Sequence, residues 1–462
     1  MARVHAFTDD VLADHDAVGL VDLLRTRAVS PQELSAAVGA RIGAVDPDLG
    51  GLAHAAYDVP ARGSGGFFAG LPMLAKDNVD VAGMPTRHGT DAFPAVPKKA
   101  DGDWARALRA IGLHPIGKSR LSEFGFSASC EHPRLGPVRN PWSTAHTAGA
   151  SSSGSAAFVA AGALPLAHAN DGGGSIRIPA ASCGLVGLKP TRNRTPQDAM
   201  MRHMPVRIVS DGVVTRSVRD TAAFLREMER HAPARRLRPV GDVTGPSDER
   251  LKVAVVTTSV GREASPEMRE LTLKTAALLE GLGHRVEEID HPVPDSFADD
   301  FLLYWSILAT AIVRGSRLQF GRDADVSRYD NLTHGLARHG QRSLPRLPLA
   351  MARLARSQRA SAALFQQYDV VLTPTVAHET PRIGHLDPTQ PFETVVERLM
   401  DWVAFTPLQN ATGDPSISLP LAQTAAGLPA GMLFSAGSGQ EARLLGLAYE
   451  LEQAQPFARI QD

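Results

Sequence analysis

The spacing of apolar residues predicts two amphipathic helices near the start of the chain. Between residues 16 and 27, the apolar side chains recur at helical intervals. A second helix should begin after Ser30, because Ser30 and Glu33 have the spacing of a capping box and Pro31 suits the first helical position. We therefore expect residues 1–50 to form N-terminal helices without a chemical role.

Further along the chain, short apolar runs alternate with helical patterns, which is typical of an α/β fold. Buried strands are predicted at residues 70–77, 114–118, 164–169, 252–257, 285–289 and 368–375. Helices are predicted at residues 103–111, 155–163, 267–282 and 440–454. Residues 292–364 have a predominantly helical pattern.

Residues 147–190 carry the clearest chemical pattern in the chain. Two loops of small residues, 149–154 and 171–175, flank an apolar helix and strand, so both loops should meet at one end of a sheet. Three consecutive glycines before Ser175 allow the backbone to turn its N–H groups toward one point. A serine beside such donors is typical of a nucleophile beside an oxyanion hole. The composition alone also fits a linker or a phosphate-binding loop, although neither the P-loop nor the dinucleotide-binding pattern is present.

Composition and charge narrow the class of protein. The 462 residues include 48 basic and 49 acidic residues, which gives no electrostatic reason to expect nucleic acid or a membrane as a partner. Two cysteines, Cys130 and Cys183, exclude a disulfide framework and a cysteine-based metal site. No apolar stretch approaches the roughly 20 residues of a membrane-spanning helix, and the N-terminus lacks a signal-peptide pattern. We expect a cytoplasmic protein.

A serine nucleophile needs a base, and histidine is a weak candidate for that base here. The 16 histidines include none that accompanies a G-x-S-x-G motif with a matching acid, so a Ser-His-Asp triad is poorly supported. His168 lies nearest to the glycine-rich loop, but its place on an apolar strand favours a structural role.

The order of four motifs resembles the amidase signature family. Residues 149–155 (GASSSGS) are similar to the family's GGSSGGS motif, with alanine and serine at two usual glycines. Residues 171–180 (DGGGSIRIPA) resemble its DxGGSxRxPA motif, and residues 183–191 (CGLVGLKPT) resemble its CGxxGxKPT motif. Residues 74–78 (LAKDN) supply the lysine that the family carries at a strand end. The resemblance covers nearly the whole chain and is weakest between about residues 230 and 365.

This resemblance implies a fold and a domain organisation. The fold would be an amidase-signature α/β/α sandwich with a mixed, mostly parallel central sheet covered by helices. Residues 1–462 would form a single domain with its catalytic core in residues 70–225. Residues 292–365 would form a variable helical segment near the substrate entrance.

The resemblance also implies a Ser-Ser-Lys triad that works through an acyl-enzyme. Ser175 would attack the carbonyl carbon, Ser151 would bridge, and Lys76 would act first as base and then as acid. A free lysine has a pKa of about 10.4, and burial in an apolar site would lower it. Ser152 and Ser153 lie nearby, but Ser151 stands at the family's spacing before Ser175.

Further residues are assigned supporting roles by the same resemblance. The oxyanion hole would be formed by backbone N–H groups of Gly172, Gly173, Gly174 and Ser175. Asp171 and Arg177 would pair to support the loop. The side chains proposed to line the acyl pocket are those of Phe124, Phe126 and Cys130.

The expected activity is hydrolysis of the C–N bond of a small or medium-sized carboxylic amide. An aryl amide, an oligoamide, an ester or a carbamate (urethane) would also fit, so aryl acylamidase and urethanase activities remain open. No cofactor or metal is implied, and the chain would be a monomer or homodimer that binds a small-molecule substrate. Two alternatives stay open: the amidase subunit of a glutamine-dependent tRNA amidotransferase, and a non-catalytic binding protein on the same scaffold.

Overall fold

The computed structural model describes residues 3–60 and 65–462, so residues 1, 2 and 61–64 of the predicted domain lie outside the described residues. Its helices are α1 Ala17–Arg25, α2 Pro31–Leu49, α3 Asp103–Ala110, α4 Ser153–Ala160, α5 Arg177–Cys183, α6 Ala199–Arg202, α7 Val218–His231, α8 Pro266–Gly281, α9 Phe297–Phe320, α10 Asn331–Arg342, α11 Leu347–Leu364, α12 Phe392–Trp402, α13 Pro407–Thr412 and α14 Glu441–Ala454.

The strands are β1 Leu52–Ala55, β2 Pro72–Lys76, β3 His114–Ser119, β4 Glu131–His132, β5 Gly136–Pro137, β6 Arg139–Asn140, β7 Ser143–Thr147, β8 Leu166–Asp171, β9 Val186–Lys189, β10 Ser210–Thr215, β11 Lys252–Val255, β12 Thr258–Ser259, β13 Arg262–Glu263, β14 Arg285–Glu288, β15 Val370–Pro374, β16 Ser416–Gln423 and β17 Pro429–Ala436.

Local sequence signals explain where the first two helices begin. Asp16 accepts a hydrogen bond from the Gly19 N–H and caps α1. Ser30 and Glu33 form the reciprocal capping box of α2, with Pro31 at its first position.

An eight-stranded sheet in the order β14-β11-β15-β17-β16-β9-β10-β8 forms the centre of the molecule. Helices α5, α7, α8 and α14 pack against its strands. The predicted α/β class, with a large mixed sheet flanked by helices, is confirmed.

The expectation of a mostly parallel sheet is wrong. Parallel pairing joins β11 to β14 and to β15, whereas the ladders from β15 across to β8 are antiparallel. The physical reason lies in the connections. Strands β16 and β17 are joined by a short turn, and a short turn allows only antiparallel pairing.

A smaller sheet, with the strand order β1-β3-β2, lies beside the central sheet. Strand β2 packs against β8, and helix α4 contacts both strands. Helix α4 consists of small or apolar residues that are all buried. At Gly154 a Cβ atom would lie 2.3 Å from the Gly51 carbonyl oxygen, so this close approach requires glycine. The ends of β2 and β8 therefore lie together.

The segment between residues 292 and 365 is helical, as its pattern predicts. Helix α9 packs against α10 and α11, and aromatic residues of α9 cover the glycine-rich loop after β8. No described helix combines the length and the apolar character needed to cross a membrane.

Candidate active site

Lys76, the last residue of β2, is fully buried and faces hydroxyl and amide groups instead of a carboxylate. Its Nζ lies 2.8 Å from Ser151 Oγ, 2.9 Å from Ser152 Oγ and 2.7 Å from Asn170 Oδ1. Desolvation by burial lowers the pKa of Lys76 to about 7, although the more distant carboxylates of Asp211 and Asp171 oppose the shift. A substantial fraction of the side chain is therefore a neutral amine at neutral pH.

The hydrogen bonds distinguish the two serines beside Lys76. Ser152 Oγ donates to the Ser175 carbonyl oxygen at 2.6 Å, so its proton is already committed. Asn170 Oδ1 can only accept. Of these three neighbours, Ser151 is the one whose hydroxyl is free to donate to a neutral Nζ. Its oxygen can then accept a proton from a further hydroxyl.

Ser175 lies in the loop between β8 and α5, on the wall of a cavity. Its side chain is 8% exposed, and Ala150 and Gly125 border the same cavity. A Cβ atom at Gly125 would lie 3.1 Å from Ser151 Oγ, so the Ser151 hydroxyl also lies close to this wall. The fold thus brings Lys76, Ser151 and the Ser175 loop into one region, as the resemblance implies.

A buried ion pair shapes the loop that carries Ser175. Arg177 donates from Nε to Asp171 Oδ2 at 2.9 Å and from Nη2 to Asp171 Oδ1 at 2.8 Å. Arg177 also donates to side chains of α13, Gln409 and Asn410. Burial alone would raise the pKa of Asp171, but the Arg177 charge holds it well below its usual range. Asp171 is therefore an ionised, fully paired carboxylate, which suits a supporting role.

The predicted oxyanion hole needs one correction. The Gly174 N–H donates to Asp171 Oδ1 at 2.8 Å, so this group is already engaged within the loop. The N–H groups of Gly172, Gly173 and Ser175 remain as candidate donors to a developing oxyanion. The φ of Gly174 is +135°, a backbone conformation that residues with a side chain rarely adopt, so this turn favours glycine.

His168 and Lys118 hold strand ends in place. His168 Nδ1 accepts the Lys76 backbone N–H at 3.1 Å, so the proton of the neutral ring is on Nε2, which faces Asp211 Oδ1 at 3.2 Å. Burial lowers the pKa of His168. Lys118 Nζ pairs with Asp77 Oδ1 at 3.2 Å and donates to the Val79 carbonyl. His168 and Lys118 are thus structural residues.

The cavity beside Ser175 has mainly apolar and aromatic walls. Its empty space, including the open mouth, is about 810 Å³. Phe126, Phe301, Trp305 and Met400 contribute to the walls. The rings of Phe301 and Trp305 are stacked with centroids 6.0 Å apart, and Trp305 Nε1 donates to the Phe126 carbonyl at 3.3 Å. These walls favour an apolar or aromatic group on the substrate.

Two of the three predicted pocket residues do not reach this cavity. Cys130 is fully buried in the main hydrophobic core, where it packs among apolar residues instead of bordering the cavity. Phe124 instead packs on Tyr329 and Phe320, with centroids 4.9 and 5.6 Å away. Phe126 does line the cavity.

Neither Asn170 nor the wall contributed by α12 was predicted from the sequence, whereas α9 lies in the segment of residues 292–365 that was expected near the substrate entrance. Asn170 could have been found, because it directly precedes Asp171 in the motif. The residues of α12 could not, because they lie in a segment without a recognisable motif. Within residues 3–60 and 65–462, no group of three or more His, Cys, Asp or Glu side chains is placed to hold a metal ion.

Comparison with known proteins gives matches over nearly the whole chain. The Amidase family profile matches residues 46–445. AmiC of Mycobacterium leprae, an amidase by name, is 60% identical over 470 residues, which cover 100% of this chain and 99% of that protein. The 6-aminohexanoate-cyclic-dimer hydrolase of Paenarthrobacter ureafaciens is 31% identical over 474 residues, covering 96% of this chain and 95% of that protein.

Solved structures agree with the sequence matches. A 6-aminohexanoate cyclic dimer hydrolase complexed with substrate superposes with a TM-score of 0.87 at 28% identity, covering 98% of this chain and 99% of that one. A bacterial aryl acylamidase superposes with a TM-score of 0.84 at 26% identity, covering 96% of each chain. The chain therefore belongs to the amidase signature family and is an amidase, a hydrolase acting on carbon–nitrogen bonds.

Proposed function

We propose that this amidase hydrolyses a small or medium-sized carboxylic amide through an acyl-enzyme on Ser175, with Ser151 as relay and Lys76 as base. The observation that carries the proposal is the environment of Lys76. A buried lysine that contacts hydroxyl and amide groups, and whose pKa is lowered to about 7, is suited to accept a proton at neutral pH.

The proposed reaction begins with two coupled proton transfers. Neutral Lys76 takes the proton of Ser151 while Ser151 takes the proton of Ser175, and Ser175 Oγ attacks the carbonyl carbon. The N–H groups of Gly172, Gly173 and Ser175 stabilise the oxyanion. Protonated Lys76 then returns its proton through Ser151 to the leaving amine. Water repeats the attack on the ester and releases the carboxylic acid.

The cavity supports a substrate with an apolar or aromatic group next to the scissile bond. Aryl amides and oligoamides both meet this requirement, as do aryl esters and carbamates. The solved relatives are by name a hydrolase of a cyclic amide and an aryl acylamidase. We therefore propose anilides and oligoamides as the first substrates to be tested.

The experiment compares Ser175→Ala with Ser153→Ala. Ser153 is also a buried serine, but it donates to the Gly149 carbonyl instead of contacting Lys76. Ser175→Ala should abolish anilide hydrolysis and labelling by a phosphonate probe, whereas Ser153→Ala should retain both. Turnover by Ser175→Ala at the wild-type rate would exclude Ser175 as the nucleophile.

The same assay separates the two alternatives. Hydrolysis by the purified chain without partner subunits would argue against an obligatory amidotransferase subunit. Labelling of Ser175 together with turnover would exclude a non-catalytic scaffold. A solved glutamyl-tRNA(Gln) amidotransferase chain from Thermotoga maritima has a TM-score of 0.80 but only 24% identity, which shows the fold alone.

A further inference from the structure

The cavity beside Ser175 contains a single charged side chain among the described residues that line it. That residue is Arg262, on the hairpin formed by β12 and β13. The other lining side chains are apolar, apart from a few serine hydroxyls. A guanidinium group in an otherwise apolar cavity calls for a physical explanation, because desolvating a charge is unfavourable.

Within the described part of the chain, this guanidinium has one weak carboxylate neighbour and one buried nitrogen without a hydrogen bond. Arg262 Nε is buried without a hydrogen-bond partner. The nearest carboxylate oxygen, Asp401 Oδ1, is 3.5 Å from Nε, and the Asp401 side chain is 57% exposed. Because Asp401 is more than half exposed, water screens the pair at this distance and the pair contributes little. Asp401 is also shared with His378, whose Nε2 lies 3.5 Å from Oδ2.

Arg262 and Ser175 border the same cavity, and apolar side chains of α9 and α12 lie along its walls. A ligand that fills the cavity could thus place an amide at Ser175 and another group at Arg262. A planar guanidinium with free donors binds a carboxylate through two parallel hydrogen bonds. The apolar walls would match an apolar spacer between the two groups.

We propose that Arg262 forms an anion-binding subsite and that the preferred substrates are amides bearing a carboxylate separated from the scissile bond by an apolar spacer. This inference rests on the proposed function, since it assigns a substrate class to the same site. Arg262 is a specificity-determining residue and takes no part in the proton transfers.

Two series of substrates test the subsite. The first series consists of ω-carboxyacyl anilides of increasing chain length, which carry the carboxylate on the acyl side. The second consists of benzamides of ω-amino acids, which carry it on the amine side. Each compound is paired with its methyl ester or with a methyl-terminated compound of the same length, which are neutral.

Wild-type enzyme should favour the anionic member of one series by about 10- to 100-fold in kcat/KM, the range expected for hydrogen bonds to a charged group. Arg262→Leu should lose this preference while hydrolysing the neutral member within roughly threefold of wild type, since the chemistry is unchanged. Arg262→Lys should keep part of the preference, because the charge remains but the paired donors are lost. Asp401→Asn, the matched control, should keep or increase it.

Two outcomes would overturn the subsite: no preference for the anion in either series, or a preference that survives in Arg262→Leu. If Arg262 merely paired with Asp401, Arg262→Leu would change the hydrolysis of neutral and anionic substrates by the same factor. Asp401→Asn would then have the same effect as Arg262→Leu.

A binding measurement distinguishes failure of the subsite from failure of the proposed function. In the Ser175→Ala background, calorimetry of the anionic member of each series compares the protein that keeps Arg262 with Arg262→Leu. Binding weakened by about 10-fold or more in Arg262→Leu supports the subsite even if no compound is hydrolysed. Equal binding of anionic and neutral compounds, together with normal hydrolysis by wild type, would reject the subsite and leave the proposed function intact.

Discussion

At the scale of single residues, Lys76 and Lys118 show how local partners decide the role of a buried lysine. The two residues lie on adjacent parallel strands, β2 and β3, and both are fully buried. Burial lowers the pKa of each, but Lys118 faces the Asp77 carboxylate at 3.2 Å, which favours the charged form. Lys76 has hydroxyl and amide neighbours. The same residue type is therefore an ion-pair partner in one strand and a candidate base in the next.

The pH dependence of acylation should follow the neutral form of Lys76. Because the base must be deprotonated, the acylation rate should rise as pH increases through about 7 and level off above it. Stopped-flow acylation with an anilide would measure this limb, with circular dichroism to confirm that the protein remains folded. A limb near the ordinary lysine value of 10.5 would contradict the proposed desolvation of Lys76.

Ser151 and Ser152 should differ in their effect on the reaction, although both contact Lys76. Ser151→Ala removes the hydroxyl that is free to relay a proton, and we expect a loss of about 10²- to 10⁴-fold in kcat, as for one proton-transfer role. Ser152→Ala removes a hydrogen bond to the Ser175 carbonyl and should have a smaller effect. Rates of anilide hydrolysis for the two variants test this order. A larger loss for Ser152→Ala would assign the relay to Ser152.

At the scale of secondary structure, motifs on adjoining segments could be read from the sequence, but pairings between distant segments could not. The loop, helix, strand and loop of residues 147–190 occur in the predicted order, because small residues and apolar runs determine them locally. Strand direction depends on which distant strands become neighbours, so the antiparallel ladders of β15 to β8 were missed. The cavity wall from α12 was missed for the same reason. Cys130 was misplaced because a motif gives the position of a residue in the chain and leaves the direction of its side chain open.

Arg177 should be the main tie between the Ser175 loop and helix α13. Arg177→Met would leave Asp171 as a buried carboxylate without its partner, which should lower the free energy of unfolding by about 3–5 kcal/mol. Arg269→Met is the matched control, because Arg269 and Glu288 are about half exposed and such pairs contribute about 0–1 kcal/mol. Urea denaturation measures both. Equal effects of the two substitutions would mean that the loop is held by other contacts.

At the scale of the whole molecule, one hydrophobic core joins the two ends of the chain. The largest buried cluster includes residues from Ala6 to Leu451 and contains members of both sheets. The site draws on β2, β8 and α13, so it depends on the packing of the entire molecule. We therefore propose that residues 1–462 form one domain. The catalytic core of residues 70–225 would require the C-terminal part for the support of Arg177.

Two lysines buried by this packing, Lys76 and Lys189, lower the free energy of unfolding. Lys76 and Lys189 both have their pKa lowered to about 7 by burial. In the unfolded chain a lysine keeps its proton up to about pH 10.5, so between about pH 7 and 10.5 the unfolded state binds more protons than the folded state. The contribution of these two lysines to stability therefore rises with pH in this window. Active-site residues commonly lower stability in exchange for activity.

Lys76→Met should accordingly abolish activity while stabilising the protein relative to wild type most strongly below about pH 7. The difference in the free energy of unfolding between Lys76→Met and wild type should shrink by about 1.4 kcal/mol per pH unit as pH rises from about 7 toward 10.5. The reason is that protonation of Lys76 in the unfolded wild type becomes less favourable as pH rises, so wild type becomes more stable. Urea denaturation at a series of pH values would measure the difference. Lys189→Met, which removes an equally buried lysine outside the proposed triad, should give the same slope with anilide hydrolysis retained. Parallel stability curves for wild type and Lys76→Met would show that Lys76 has an ordinary pKa, and the neutral-base mechanism would then fail.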